Sequence, residues 1–309
     1  MAIIISEEQD NPESKFDMDA IEIERLIKIS KERPLLPETY VPWQEEAKAG
    51  EVFLPEKLNS LEGLKIYDTL SPHQKLELGR HEIVQVIYSY GWGEGLFCLF
   101  MSKYILTLQP DNVEYRFLLR ELIEEYRHQE MFSEAIRKLD GQPVKPSRMH
   151  RWIGLFTAKY LPVDFLFMGS LAVELVTDTY GNKTRKHPAT YLVLRKVFDL
   201  HAIEEARHIH FTKNLLKKYS DKAGYIKRSI YSFVILFNIY FIRSLYVKKE
   251  IYNRIGLEDT DTVYKAARKN YKKKFTEIGL IGVIDFVKSW NGYNRATRWA
   301  WHLLMDVKI

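Results

Sequence analysis

The chain has 309 residues, 46% of them hydrophobic and 13% aromatic, with a formal net charge of +5 and one cysteine. That apolar content supports one large core, and no Pro/Gly/Ser-rich linker divides it, so one domain is expected over residues 17–309. The lone Cys98 excludes internal disulfides and predicts a reducing, cytoplasmic setting.

Residues 1–16 carry no basic n-region and too short an apolar run for a signal peptide, and they read as a mobile tail. An amphipathic helix is expected from Asp17 to Arg33, stopped by Pro34 and Pro37. Ser71-Pro72 is an N-cap and N1 pair that starts a helix running to about Leu106. Between Ile83 and Ser102 this helix has almost no charge except Glu94, which sits among Gly91, Gly93 and Gly95. Those glycines either give room to a neighbour or a ligand, or mark a break between two shorter helices. Pro110 opens the next helix, whose stripe Leu118, Glu121, Glu125, His128, Phe132, Ala135, Leu139 is apolar at its ends and polar in its middle. Gly141 to Pro146 ends it.

A helix from Arg148 to about Tyr180, bent at Pro162 and closed by Gly181-Asn182, carries Glu174 in an apolar setting. Pro188 opens a helix without further Pro or Gly up to Lys222. On it His201, Glu205 and His208 share one face with Leu194, Phe198 and Leu215. Lys222 to Glu250 follows, with an apolar run over residues 229–242 that is short for a membrane span and reads as a helix packed on the bundle. Peripheral membrane contact is the lesser reading of that run. Helices near 262–275 and 280–306 finish the chain, the last rich in Trp, and no strand pattern of useful length occurs. Lys217-Lys218 and Arg268 to Lys274 read as solvated helix faces. No nucleic-acid motif surrounds them, so no nucleic-acid partner is expected, while an anionic carrier protein or lipid surface fits the charge.

Glu125-Tyr-Arg-His128 and Glu205-Ala-Arg-His208 repeat one Glu-x-x-His spacing, each with an acid before the Glu (Glu124, Glu204) and Arg before the His (Arg127, Arg207). Glu125 follows Glu94, and Glu205 follows Glu174, by 31 residues in both cases, a distance that suits two antiparallel helices and a short loop. Burying carboxylates beside imidazoles is costly unless a cation compensates them. Two Glu-x-x-His helices plus one Glu from each of two others make the dinuclear site of a four-helix bundle, here spanning about residues 72–220. Such a donor set suits iron, with manganese as the alternative. Glu125 and Glu205 are the expected bridges, Glu94 and His128 belong to one metal, and Glu174 and His208 to the other. Asp178 and Asp199 are candidate acceptors for the outer imidazole nitrogens. Tyr88, Tyr90, Phe97, Met101, Phe167 and Met168 are candidates for the wall of a substrate pocket.

This pattern resembles the ferritin-like di-iron carboxylate proteins. His201, four residues before Glu205, narrows the resemblance to the AurF-type arylamine N-oxygenases, in which a histidine there is an additional iron ligand. The resemblance covers roughly residues 70–220 in motifs. It implies an all-α ferritin-like four-helix bundle with extra N- and C-terminal helices. It also implies a metal set of Glu94, Glu125, His128, Glu174, His201, Glu205 and His208. His201 and His208 lie about 10.5 Å apart along a helix axis, so both could reach one metal. The implied reaction uses two irons to activate O₂ and oxygenate an amine nitrogen. An external reductase or other electron donor is expected, because no flavin, NAD or Fe–S motif occurs in the chain. An aromatic or apolar small-molecule substrate and a homodimeric assembly are expected. Hydroxylation or desaturation of acyl chains, and non-enzymatic iron binding, are the alternatives.

Overall fold

A computed structural model describes residues 20–307. The expected N-terminal tail, and the first residues of the helix expected from Asp17, lie outside the described residues. Helix α1 (Ala20–Glu32) buries Ile23, Leu26, Ile27 and Ser30. Short helices α2 (Pro37–Tyr40) and α3 (Lys65–Thr69) follow, separated by a 3-10 turn at Glu56–Leu58. Then come α4 (Pro72–Ile105), α5 (Val113–Lys138), α6 (Arg148–Tyr160), α7 (Val163–Lys186) and α8 (Leu192–Asp221). The C-terminal part comprises α9 (Tyr225–Tyr246), α10 (Lys249–Arg254), α11 (Thr260–Lys274), α12 (Ile281–Ser289) and α13 (Arg298–Met305). Among the described residues there is no strand, only an isolated parallel bridge between Val52 and Thr190. The fold is an all-α, ferritin-like bundle.

Helices α4 and α5 form one antiparallel hairpin and α7 and α8 the other, and the two pack together as the four-helix core. Helix α1 lies on α5, and α9 covers α7 and α4. The start of α4 is fixed by a capping box: Ser71 accepts from the Gln74 amide, and the Gln74 side chain accepts from the Ser71 amide. Asn112 caps α5 through the Glu114 amide. The stripes on α5 and α8 are buried along their whole length, from Leu118 to Leu139 and from Leu194 to Leu215. Their apolar ends, such as Phe132 and Phe198, each contribute about 1.5–3 kcal/mol of burial that holds the polar middle in place.

Four boundaries differ from expectation, each for a local reason. The helix expected over 148–180 is two helices, because Leu161 precedes Pro162 and adopts an extended backbone. Helix α7 does not close at Gly181; this glycine lets α8 approach, since a Cβ there would meet the Phe198 ring at 3.3 Å. Helix α8 begins at Leu192 rather than Pro188, because the Tyr191 amide donates to the Val52 carbonyl and the Val52 amide to that of Ala189. The final segment is split into α12 and α13 at Asn291, whose left-handed backbone (φ 57°) ends the helical path. The glycines around Glu94 mark no break: α4 is continuous, and Gly93 borders open space.

Candidate metal centre

Glu94 on α4, Glu121, Glu125 and His128 on α5, Glu174 on α7, and His201, Glu205 and His208 on α8 all face the interior of the bundle. His128 and His208 hold their rings in the same way. The Nε2–H of His128 donates to Glu204 and that of His208 to Glu124, both at 2.9 Å. Each histidine is therefore oriented by the acid that precedes the glutamate of the other motif. Arg127 ties Glu204, while Arg207 and Ser30 tie Glu124. With Nε2–H occupied, each Nδ1 points inward without a hydrogen-bond partner. Asp178 and Asp199, the candidate acceptors, are engaged elsewhere. Asp178 accepts from Asn182, and Asp199 accepts from Tyr40 and Arg185.

The inward atoms converge. His208 Nδ1 is 3.0 Å from Glu125 Oε1, and His128 Nδ1 is 4.0 Å from Glu125 Oε2, so the two oxygens of Glu125 spread toward two different histidines. Glu205 Oε1 lies 3.6 Å from both His128 Nδ1 and His208 Nδ1, and 3.3 Å from His201 Nε2. His201 Nε2 is also 3.2 Å from Glu94 Oε1. Two groups could each hold a cation: Glu94, His128, His201 and Glu205 in one, and Glu125, Glu205 and His208 in the other, with donor atoms in each within 4.8 Å of one another. His201 thus falls in the group of His128, not beside His208 as the axial spacing allowed. The α8 helix presents its histidines on either side of Glu205, and the nearest partners of His201 are Glu94 on α4 and Glu205 on its own helix. Glu174 is outside both groups. Its Oε1 accepts from Ser170, one turn back on α7.

Buried polar atoms without partners concentrate here: one oxygen each of Glu94, Glu125, Glu174 and Glu205, both oxygens of Glu121, and the Nδ1 atoms of His128 and His208. Native interiors rarely leave such atoms unsatisfied, so this cluster fits a pair of cations. Glu121 was not among the ligands expected from sequence, although it lies on the α5 stripe. It is buried near the carboxylates of Glu125 and Glu205 and the His208 ring, and burial raises its carboxyl to about 8. Burial and the Glu205 charge likewise raise Glu125 to about 8, and burial pushes Glu94 and Glu174 well above the usual range. Burial opposes a charge on both facing histidines. It wins at His128, aided by repulsion from His201 and His208, whereas Glu121, Glu124 and Glu125 hold His208 protonated. The outer acids differ accordingly. Burial is outweighed at Glu124 by His208 and Arg207, which hold it at about 2, but it dominates at Glu204, which rises to about 7.

A cavity of about 120 Å³ opens beside the cluster. Glu94, Glu125, Glu174, His201 and Glu205 form its polar floor; Tyr90, Phe97, Phe100, Phe237 and Phe241 supply rings to its walls. Of the candidates for its wall, Tyr90 and Phe97 line it, and Tyr88, Met101, Phe167 and Met168 do not. Helices α6 and α9, outside the four-helix core, provide much of the wall and the rim.

A ferritin-like bundle with a Glu/His cluster that could hold metal ions is the architecture of the di-iron class. The chain belongs to the P-aminobenzoate N-oxygenase AurF family, which it matches over residues 19–290. It is also 31% identical over 157 residues to uncharacterized proteins of Mycobacterium tuberculosis and Mycobacterium bovis. That match covers 49% of this chain and 46% of theirs, so the chain spans about half the length of the curated relatives it matches.

Proposed function

We propose that the protein is an O₂-dependent di-iron N-oxygenase acting on an uncharged aromatic amine. The observation that carries this reading is the cavity. It opens on the Glu/His cluster, is walled by aromatic rings, and has no Lys or Arg in its lining among the described residues. A carboxylate-bearing substrate would lose its hydration there without gaining a counter-charge. A neutral ring gains apolar contact and orientation.

In this reading Glu94, His128 and His201 would hold one iron, His208, Glu174 and Glu121 would hold the other, and Glu125 and Glu205 would be shared by both. When bound, the iron pair supplies the O₂-activating redox chemistry, with electrons from an external donor. The chain's own residues do the rest. Glu124 and Glu204 fix the imidazole rings so that each Nδ1 is directed inward, where His208 would release the proton it holds in the metal-free chain when iron binds. The ring-lined wall excludes water from the open side of the cluster. Asn238 lines the cavity, with its Nδ2–H donated to the Val234 carbonyl at 2.8 Å. Its carbonyl oxygen accepts no bond among the described residues, so it is available to a substrate N–H.

The test is turnover of the reduced, iron-loaded protein with labelled O₂ and a panel of arylamines. Uncharged arylamines should give labelled hydroxylamine or nitro products, detected by mass spectrometry, while carboxylated ones react poorly. Labelled oxygen appearing only in acyl thioesters, or a clear preference for carboxylated arylamines, would overturn the reading.

A further inference from the structure

The cavity rim is continuous with an unusual outer surface. Helix α6 turns Met149, Trp152, Leu155, Phe156 and Tyr160 outward in a single stripe, with Trp152 65% exposed and stacked on Phe156. Helix α9 presents Ile226, Ile230, Phe233, Phe237 and Tyr240 in a parallel stripe. The two helices are adjacent, since His150 bonds Ser244 at 2.8 Å and its ring lies 5.0 Å from that of Phe241. On the far side of α9, the exposed Trp299 of α13 meets Phe233. Phe237 belongs both to the α9 stripe and to the cavity wall, so the mouth opens on this face.

The charge of the face is one-sided. The chain has 41 acidic residues, yet residues 141–163, 222–249 and 286–305 contain none. The same segments carry Lys145, Arg148, Arg151 and Lys159 around α6, Lys222 and Lys227 at the start of α9, and Arg295 and Arg298 beside Trp299, all of them exposed. The nearby acid Asp164 is already engaged by Lys227 and Tyr231. Large apolar side chains, aromatic rings and cations without acids form the composition of an interfacial membrane helix.

We propose that the face made by α6, α9 and α13 docks on an anionic lipid bilayer, with the cavity mouth turned toward the lipid. Charge complementarity selects this occupant over a second copy of the chain: a twofold contact would bring together two copies of a basic face whose segments hold no acid to pair with either. The helix beginning at Tyr225 is long and apolar enough to cross a membrane, but half of that apolar window is buried in the fold. Its inner side is committed, since Ser232 accepts from the Trp301 indole and Tyr231 donates to Asp164. Helix α9 therefore lies on the bilayer and does not span it. A substrate dissolved in lipid would reach the cavity without crossing water. The docking itself needs no metal and does not depend on the reaction proposed above.

The experiment is flotation of the full chain with phosphatidylglycerol/phosphatidylcholine vesicles and with pure phosphatidylcholine vesicles, at low and physiological salt. The wild-type chain should float with the anionic vesicles, less so as salt rises. The pair Trp152→Glu and Phe156→Glu should reduce partition by about tenfold or more. Arg148→Glu with Arg151→Glu should weaken the preference for anionic lipid, since six of the eight exposed cations remain. Circular dichroism should show both variants folded, as expected for exposed positions. No flotation, flotation insensitive to both pairs, or an aromatic face that instead holds a dimer split by the Trp152/Phe156 pair would each overturn the proposal.

Discussion

The crossed arrangement of the outer acids makes a prediction that sequence neighbours would not. Glu124 is one turn from His128 on α5, yet it holds His208 across the bundle; Glu204, one turn from His208, holds His128. Acceptors of this kind typically set 10–100-fold in metal affinity, or about 1.4–2.7 kcal/mol. Glu124→Gln removes a carboxylate that stays ionised down to about pH 2 but keeps one acceptor oxygen, so its effect should fall near the lower end. The decisive form is a double-mutant cycle read by anaerobic Fe(II) titration against a chelating indicator. Once His208→Ala has removed the imidazole, Glu124→Gln should cost little more, giving a coupling of about 1.4 kcal/mol. On a His128→Ala background the same Gln substitution should cost its full amount, giving a coupling near zero. The cycles with Glu204→Gln should be the mirror image. Coupling found within each helix instead of across the bundle would refute the crossed assignment.

Two further outcomes follow from the cavity and from a buried acid away from the site. Gly169 backs the cavity, and a Cβ there would lie 2.5 Å from Asn238 Nδ2, so Gly169→Ala should displace the Asn238 amide. It should weaken binding of a neutral arylamine several-fold, as measured by calorimetry, with iron stoichiometry unchanged. Glu82 is buried with Ser60 and Tyr252, and burial raises its carboxyl to about 7 from 4.5. The folded state then holds a proton that the unfolded state loses. Its contribution is fully present below about pH 4.5 and is lost as pH rises through 7, by about 3 kcal/mol. Glu82→Gln should therefore gain stability relative to wild type between pH 5 and 8 in denaturant titrations of the metal-free protein; equal slopes for both proteins would count against it.

The four-helix core was legible because it depends on period and spacing. Two apolar stripes with polar centres, and two equal intervals from lone Glu to Glu-x-x-His, determine which helices pair and which faces meet. The outer acids were less legible. Glu124 and Glu204 sit one residue before the stripe, about 100° around the helix, where a carboxylate ordinarily meets solvent. They are buried because the two Glu-x-x-His helices approach closely enough for each shoulder to reach the other's histidine. The repeated Glu-Glu-x-Arg-His pattern carried that signal, since both the extra acid and the Arg recur and both enter the crossed pairs. The cavity was legible only in part. Its outer wall comes from α6 and α9, whose contact with α4 and α7 is long-range, and Met101, Phe167 and Met168 turn into the apolar core instead.

The two halves also differ in a way that bears on how the proposed centre would work. His201 stands four residues before Glu205, and the matching position four residues before Glu125 is Glu121. Both are buried and both face the cluster, so the repeat is kept in position and broken in charge. His201 joins the side of Glu94 and His128; Glu121 is placed on the side of Glu174 and His208, whose charges it senses. With cations bound, one side would gain a neutral nitrogen where the other gains a carboxylate oxygen. Two cations in such surroundings are not equivalent, because the extra carboxylate favours the higher charge on its own side by Coulomb attraction in a water-poor interior. The cavity breaks the symmetry in the same sense. Its floor takes Glu94 and His201 from one side and only Glu174 from the other, so a substrate would meet more of the side that carries His201.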